Sequence, residues 1–199
     1  AEDITIAAAL LFPTLQHHQL SNELLSTHVN KDILILATGV IKTNVIDSLQ
    51  NIHDKNFLSS QSDKLRRMLL SIVDDVRVIF IRLVHCVTVL RAIKEETEQV
   101  KVSYAEKIMQ LYAPLANRLG LGQIKWELED IAFRYLDPES YFNISKSLKL
   151  RRTERETFIQ SMQSMLSQLL KAARIKNPDI SGRVKHIYSI HKKITRKKV

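Results

Sequence analysis

The sequence predicts an all-α fold over about the first 176 residues, followed by the beginning of a different kind of segment. Apolar residues recur there at spacings of three and four, which is the period of an amphipathic helix. The 199 residues include only four glycines and four prolines, so we expect few long loops. Beyond residue 176, an Asn-Pro-Asp turn and a Ser-Gly pair interrupt the helical pattern, and basic residues accumulate.

Two helices are predicted in the first 50 residues. Residues 4–11 (ITIAAALL) form an apolar run, and we expect Pro13 to end it because proline cannot continue a helix interior. Residues 32–49 have apolar residues near helical spacing, although their one glycine weakens the pattern. The polar residues 50–63 then predict a loop.

A strongly helical pattern runs from Asp63 to about Lys94. Its stretch over residues 76–90 is apolar on most sides, which predicts a central, buried helix. The few polar residues of this stretch lie either at its edge or in a site, and they are Arg77, Arg82, His85 and Thr88.

Four further helical segments follow, covering residues 101–119, 123–136, 139–150 and 153–175. Pro114 predicts a kink or a new start within the first of them, and Gly120 fits its carboxyl-terminal cap. Asp137-Pro138 ends the second, and the third is a short helix at most. The last is amphipathic, and its apolar side consists of Phe158, Ile159, Met162, Met165, Leu166, Leu169 and Leu170.

The composition is that of a globular protein and excludes several classes. The chain is 45% hydrophobic and 26% charged, as in ordinary soluble domains. No apolar run reaches the roughly 18 residues that a membrane span needs, and the start shows no signal-peptide pattern. The single cysteine, Cys86, excludes an internal disulfide. We therefore expect a cytoplasmic protein with no membrane partner, and we interpret the start at Ala1 as that of a fragment or a processed chain.

Basic charge is concentrated at the end of the chain. Residues 151–199 contain thirteen Lys or Arg and three Asp or Glu, whereas the whole chain has a net charge of +9. Such asymmetry suggests a site for a polyanion, which would be nucleotide phosphates, nucleic acid or an acidic surface. A solvated basic tail is the alternative interpretation.

The basic residues at the end have a helical spacing. Counted from Lys185, the residues Ser189, Lys193 and Arg196 follow at +4, +8 and +11, and on a helix these positions share one face. Three long cations and a hydroxyl suit a triphosphate, whose oxygens accept many hydrogen bonds. Arg183, just before the predicted helix, would add a guanidinium plane that stacks on a base.

One long, unbroken motif resembles a known family. Residues 112–136 read YAPLANRLGLGQIKWELEDIAFRYL and resemble the central signature of the RelA/SpoT family of alarmone synthetase/hydrolases, in the form typical of RelA-type synthetases. Supporting similarity covers nearly the whole chain, and it is carried by residues 66–78, 134–141, 150–156 and 182–193.

The resemblance implies a domain organisation. Residues 1–152 correspond to an HD-type helical hydrolase-like domain that is incomplete at its amino terminus, and residues 153–180 to a connecting helix. Residues 181–199 correspond to the first strand and helix of an α/β nucleotidyltransferase-like synthetase domain. In active relatives, the HD domain uses His and Asp ligands to hold a metal that serves the removal of the 3′ pyrophosphate.

The resemblance also implies that the first hydrolase motif has lost its chemistry. Active members carry the pattern L-L-H-D-x-x-E-D, and residues 10–17 here read LLFPTLQH. Phe12 and Pro13 stand at the His and Asp positions, and Gln16 and His17 stand at the Glu and Asp positions. Because phenylalanine and proline side chains have no atom that ligates a metal, we expect no metal site.

A second hydrolase motif is altered as well. The active form K-L-A-D-R-L-H-N-M-R-T corresponds to RLVHCVTVLRA at residues 82–92. His85 stands at the position of the metal-binding Asp, and Thr88 at that of the His. Val89 and Ala92 replace the Asn and Thr that contact the nucleotide in active members. The resemblance therefore implies an inactive hydrolase.

Synthetase domains of the family open with R-x-K-x-x-x-S-x-x-x-K-x-x-R, which binds the ATP donor. The chain matches this motif position by position with Arg183, Lys185, Ser189, Lys193 and Arg196. The resemblance implies that Arg183 faces the adenine and that the other four face phosphates. The remaining catalytic residues of a synthetase normally lie further along, so we expect the ATP site of this chain to be incomplete.

The expected function is that of the amino-terminal regulatory part of a stringent-response GTP pyrophosphokinase. The whole enzyme would convert ATP and GTP or GDP to AMP and pppGpp or ppGpp, using Mg²⁺. This part would bind no cofactor and would be inactive alone. The resemblance implies that the ribosome and uncharged tRNA are partners through parts outside these residues.

Alternative interpretations remain open. An active metal-dependent (p)ppGpp 3′-pyrophosphohydrolase would need a substitute site made by His17, His18 and His85. A basic RNA-binding module would use the end of the chain, where Tyr188 is the only aromatic residue among the last 40. Cys86 would be a nucleophile only with a His/Asp constellation, and a lone cysteine on a buried helix is more often a small apolar side chain.

An acidic set follows Trp126 and consists of Glu127, Glu129 and Asp130. We interpret it as a solvated helix face beside a core tryptophan. A junction between the two domains is the alternative.

Overall fold

The computed structural model describes residues 2–17, 28–44, 75–148 and 152–197. The chain divides into two units, Ala1–Tyr135 and Leu136–Val199. Every regular element of the described residues is a helix, as the sequence predicts for the first 176 residues. The expected first strand of a synthetase domain is not present in this part of the chain, because residues 179–186 adopt no regular structure.

The first unit contains six α-helices within the described residues. They are α1 (Glu2–Gln16), α2 (Lys31–Lys42), α3 (Val76–Ala92), α4 (Glu98–Lys107), α5 (Ala113–Arg118) and α6 (Gly122–Leu136). A 3₁₀ turn, Ile93–Glu95, follows α3, and a π-helical turn, Ile108–Tyr112, joins α4 to α5. No helix of the described residues combines the length and the hydropathy that crossing a bilayer requires.

Helix α1 continues through Pro13 to Gln16, so the prediction that Pro13 ends the helix is wrong. A proline in a helix interior costs about 3 kcal/mol through its lost hydrogen bond and its ring clash. Phe12 and Leu15, on either side of Pro13, are 2% and 6% exposed. Burial of two large apolar side chains offsets a cost of this size, and His17 N–H again donates to Pro13 O at 3.1 Å.

Helix α2 begins after Asn30, whose side chain accepts a hydrogen bond from Asp32 N–H at 2.9 Å. It ends at Lys42, and the rest of the predicted segment, residues 45–49, lies outside the described residues. Gly39 permits a close helix contact, because a Cβ atom there would lie 2.9 Å from Val78 Cγ2 on α3. The glycine that weakens the sequence pattern therefore serves packing.

Within the strongly helical pattern from Asp63 to about Lys94, the described helix α3 begins after Asp75. Asp75 has extended backbone angles, φ −128° and ψ 118°. Its carboxylate accepts a hydrogen bond from Arg77 N–H at 2.9 Å, which caps α3. Such local side-chain bonds compete with helix continuation, and apolar periodicity does not register them. The predicted loop over residues 50–63 and the helical pattern up to residue 74 lie outside the described residues.

Helix α3 is the central helix of the first unit, as predicted. Eight of its residues are buried, and they include Ile79, Leu83 and Leu90 at 1%, 0% and 0% exposure. Helices α1, α2 and α3 share one apolar cluster, which contains Ala8, Phe12, Leu15, Leu36, Ala37, Val40, Val78 and Ile81. This cluster fixes α1 against α3.

The helix predicted over residues 101–119 is divided by the π turn just before Pro114. Proline has no N–H, so Pro114 cannot donate to the carbonyl of Gln110, and the wider π turn occupies this point. The predicted cap at Gly120 is confirmed. Gly120 has φ +74°, and Leu121 N–H donates to Ala116 O at 2.9 Å.

The second unit contains α7 (Pro138–Ser147), α8 (Arg152–Ala172) and α9 (Ile187–Lys197) among the described residues. Asp137 caps α7 by accepting from Ser140 N–H at 3.0 Å, and α7 packs against α9. Helix α8 ends three residues before the predicted limit at 175. Arg174 and Asn177 follow it with φ values of 60° and 48°, as expected at a helix end and a turn.

The predicted apolar side of α8 is largely exposed within the second unit. Phe158, Met165 and Leu169 are 60%, 55% and 55% exposed. By contrast, every buried side chain of the described residues belongs to the first unit.

Candidate functional site

Helices α1 and α3 bring the two altered hydrolase motifs together. The ring of Phe12 on α1 meets the ring of His85 on α3 edge to face, with centroids 4.8 Å apart and planes at 81°. Phe12 is 2% exposed and belongs to the core cluster that joins α1, α2 and α3. The position that the resemblance assigns to a metal-binding histidine is therefore part of the hydrophobic core.

The residues at this position do not fit a metal ion. Phe12 and Pro13 have no donor atom, and the imidazole that lies against Phe12 is that of His85. Gln16 is half-buried with its Oε1 atom buried and without a hydrogen-bond partner, and His17 is exposed at the end of α1. The described residues contain no group of three His, Cys, Asp or Glu that could hold a metal.

His18, a member of the alternative histidine site, lies outside the described residues. His17 and His85 are described, and they differ in environment, since His17 is exposed and His85 is half-buried against Phe12.

The other positions of the second motif lack the polar groups that the resemblance assigns to nucleotide contacts. Thr88 is exposed and its Oγ1 donates back to Val84 O at 3.1 Å, which uses its hydroxyl within α3. Val89 is half-buried and Ala92 is exposed. An isopropyl and a methyl group cannot replace the amide and hydroxyl that the resemblance assigns to these positions.

A buried polar cluster includes residues of the second motif on α3 together with residues of α4 and the π turn. Arg82 is 5% exposed, and its Nε donates to the hydroxyl of Tyr112 at 3.1 Å. The guanidinium carbon also lies 5.5 Å from the centroid of the Tyr112 ring. Burial raises the pKa of Tyr104 far above its ordinary value, and the adjacent Cys86 adds to this shift. Cys86 itself is fully buried, as expected for a small apolar side chain.

The sequence indicates that Arg82 is either an edge or a site residue, but it does not predict this cluster. A signal is present in the sequence, since Arg82 stands between the apolar residues Ile81 and Leu83 in a helix with many apolar residues. Buried arginines need hydrogen-bond partners. The partner Tyr112 is 30 residues away in sequence, so only the fold identifies it.

The acidic set after Trp126 is not the solvated face that we expected. Glu129 is only 6% exposed, and its Oε2 lies 3.8 Å from Lys125 Nζ. Glu127 forms an ion pair with Arg91 on α3. The neighbouring hydroxyl of Tyr135 donates to Leu90 O at 3.0 Å. The Arg91–Glu127 ion pair and the Tyr135–Leu90 hydrogen bond join α6 to the end of α3, whereas the Lys125–Glu129 contact lies within α6.

The basic motif of the second unit is only partly helical. Ser189, Lys193 and Arg196 lie on α9, whereas Lys185 lies two residues before it. The prediction that Lys185 shares a helical stripe with the other three is therefore wrong. Arg183 precedes the helix as expected, and it is exposed. Val184, Lys185 and His186 lie in irregular backbone before the helix begins at Ile187.

Lys193 and Arg196 are exposed, and Ser189 is half-buried. On the same helix, Lys192 Nζ lies 4.8 Å from the centroid of the Tyr188 ring, and the Tyr188 and His191 rings stack with centroids 6.3 Å apart. The start of α9 is therefore an aromatic and cationic surface that can contact an anion.

Comparison with known proteins identifies the family of the chain. The family model described as HD domain matches residues 1–122. GTP pyrophosphokinases of Photobacterium angustum and Escherichia coli K12 are 41% and 42% identical to the chain over 193 residues, which is 97% of the chain and 26% of each relative. A relative from Synechocystis, named probable guanosine-3′,5′-bis(diphosphate) 3′-pyrophosphohydrolase, is 30% identical over 98% of the chain and 25% of its own length.

The chain thus spans about a quarter of the length of the curated relatives that it matches. The match to the HD domain covers more than half of the chain, and the similarity to the curated relatives extends almost from end to end. The chain therefore belongs to the RelA/SpoT family, with the HD domain of that family in residues 1–122.

Proposed function

We propose that the chain is the amino-terminal regulatory part of a GTP pyrophosphokinase, with an inactive hydrolase site and an incomplete synthetase site. The relatives from Photobacterium angustum and Escherichia coli named GTP pyrophosphokinase are 41% and 42% identical to it, against 31% for the GTP pyrophosphokinase of Myxococcus xanthus and 30% for the Synechocystis relative named as a probable hydrolase. The whole enzyme would transfer pyrophosphate from ATP to the 3′-hydroxyl of GTP or GDP and would use Mg²⁺. The ribosome and uncharged tRNA would bind through parts outside these residues.

The observation that carries the loss of hydrolysis is the contact between Phe12 and His85. Metal-assisted hydrolysis needs several oxygen or nitrogen ligands around one cation, which then activates a water molecule. Here the Phe12 ring packs on the His85 imidazole, with ring centroids 4.8 Å apart. No carboxylate stands at the aligned positions 13, 17 and 85. The former site therefore stabilises the fold instead of binding a metal.

The basic motif supports the synthetase part of the proposal. Arg183 would face the adenine of ATP, and Lys185, Ser189, Lys193 and Arg196 would face its phosphates. The four cations of this motif are exposed, which leaves them available to a ligand. Lys185 lies before α9, and Lys193 and Arg196 lie on it. Cations spread along this segment suit an extended triphosphate.

An assay of hydrolysis tests the proposal directly. The purified 199-residue chain is incubated with ppGpp and Mn²⁺, and release of pyrophosphate is followed. We expect no release above that of buffer with Mn²⁺ alone. The Synechocystis relative named as a hydrolase provides the matched positive control.

Release of pyrophosphate that EDTA abolishes and that His85→Ala removes would contradict the inactive hydrolase. The synthetase part is tested separately in the longer protein that contains this chain. It should form pppGpp from ATP and GTP, and Lys193→Ala should abolish this product.

A further inference from the structure

The segment that leads into the basic motif is anchored to α8 in the second unit. The side-chain amide of Gln163 on α8 donates through Nε2 to the carbonyl oxygen of Ile180 at 3.1 Å. This partly buried bond joins residues that are 17 positions apart. Its acceptor lies three residues before Arg183, in a stretch without regular structure.

Gly182 provides the second contact of this anchor. A Cβ atom at Gly182 would lie 2.9 Å from Ile159 Cγ2 and 3.7 Å from Gln163 Nε2. Real Cβ atoms essentially never approach other atoms below 3.0 Å, so a side chain here would displace either the segment or the Ile159 side chain. The only glycine with positive φ among the described residues is Gly120. Gly182 is therefore needed for close approach to α8.

We infer that α8, through Ile159 and Gln163, positions Arg183 for ATP. The inference rests on the proposed function of the basic motif. Helix α9 begins only at Ile187, so helical hydrogen bonds do not hold the backbone at residue 183. A guanidinium that stacks on a base must keep its plane in register with that base, and an anchored backbone lowers the entropy lost on binding.

The position of the anchor predicts a selective kinetic effect. In the longer protein that contains this chain, Gln163→Ala and Gly182→Ala should each raise the KM for ATP on the order of five-fold, as expected for the loss of one such contact. The kcat and the KM for GTP should stay within about two-fold, because the anchor touches neither the phosphates nor the second substrate. A merely structural defect would change all three.

Matched controls and a rescue sharpen the test. Gly122→Ala and Gln168→Ala should leave the KM for ATP unchanged, because Gly122 has open space around it and Gln168 is exposed on α8. Ile159→Leu keeps the side-chain volume and removes the Cγ2 methyl group. The double variant with Gly182→Ala and Ile159→Leu should therefore recover the wild-type KM for ATP.

The inference would be overturned if Gln163→Ala and Gly182→Ala both kept the wild-type KM for ATP. It would also be overturned if these variants changed kcat and the KM for GTP as much as the KM for ATP. Failure of the wild-type protein to form alarmone would instead contradict the proposed function. In that case, NMR of the 199-residue chain tests whether the contact between Gly182 and α8 is present, independently of activity. We expect a nuclear Overhauser effect between Gly182 Hα and the Ile159 γ2 methyl, and its absence would overturn the anchor.

Discussion

At residue 12 of this chain, a phenyl ring replaces the imidazole that the family resemblance assigns to a metal ligand. The replacement changes the physical role of the position, because an apolar ring gains from burial whereas a metal ligand needs an open coordination sphere. Phe12 is accordingly 2% exposed and packs on His85. Pro13, the next residue, stands where the resemblance assigns the second ligand, and it lies within α1.

Phe12 should therefore contribute to stability as a core residue. We expect Phe12→Ala to lower the free energy of unfolding by about 3–5 kcal/mol, because it removes a buried ring and leaves a cavity. Leu10→Ala on the same helix is the matched control, and since Leu10 is 75% exposed it should change the free energy by less than about 0.5 kcal/mol. Urea denaturation measures both, and equal losses would show that Phe12 is not part of the core.

The hydroxyl of Tyr112 should matter because it accepts from a buried guanidinium. We expect Tyr112→Phe to cost about 1–3 kcal/mol, the penalty for removing a partner from a buried charged group. Tyr135→Phe, whose hydroxyl bonds to Leu90 O in a half-buried position, should cost about 1 kcal/mol or less. Thermal unfolding followed by circular dichroism compares them. A loss for Tyr112→Phe no larger than that for Tyr135→Phe would refute the role of the buried bond.

At the scale of elements, local hydrogen bonds explain where helices begin and end. Asp75 starts α3 and Asp137 starts α7, each by accepting a backbone N–H of the following turn. Side-chain hydrogen bonds from Arg77 lower the pKa of Asp75, aided by the Arg77 backbone N–H and charge and partly opposed by burial. The carboxylate form of Asp75 is thus the one that the folded state favours.

The stabilisation by Asp75 should depend on pH. Because its pKa is lower in the folded than in the unfolded chain, its contribution is complete above the unfolded pKa and is lost as the pH falls through the folded pKa. Asp75→Ala should cost about 1 kcal/mol at pH 7, the usual value of an N-cap. That difference should shrink as the pH falls below about 4. Urea denaturation across this pH range measures the cost of Asp75→Ala, and Glu106→Ala, at an exposed position on α4, is the control. If the cost of Asp75→Ala did not change with pH, this result would contradict the charged cap.

Much of the fold follows from the sequence because apolar periodicity and glycine chemistry are local signals. The burial of α3 and the cap at Gly120 were predicted on these grounds. The start of α3 after Asp75 is not predicted, because a cap competes with an apolar pattern. The passage of α1 through Pro13 was missed because its compensation comes from packing against α2 and α3. Burial of Glu129 likewise depends on tertiary contacts.

The candidate site could be predicted in its chemistry but not in its geometry. Aligned motifs identify Phe12 and His85, yet their edge-to-face contact depends on how α1 crosses α3. Helical counting from Lys185 predicts one stripe, whereas the helix starts at Ile187. The anchor at Gly182 and Gln163 has no local sequence signal, since it joins two distant segments.

At the scale of the whole molecule, burial is distributed unevenly. All buried side chains of the described residues lie before residue 136. The second unit exposes most of the apolar side of α8 and contains the basic motif. A unit with few buried apolar contacts opens more readily than one with a packed core.

Hydrogen exchange should therefore separate the two units. We expect the amides of α3 and α6 to exchange much more slowly than those of α8 and α9, because only the former helices contain buried residues. Mass spectrometry of peptides from the 199-residue chain measures this, and the exposed helix ends within each unit serve as internal references. Equal protection of α3 and α8 would contradict the uneven core.

The most direct test of the central claim is a Mn²⁺ titration of the 199-residue chain followed by electron paramagnetic resonance. If Phe12 and His85 form part of the core, the signal of free Mn²⁺ should rise linearly from the first addition, as it does in buffer. Binding of one Mn²⁺ per chain that is lost in His85→Ala would show a functioning metal site, and it would contradict the account.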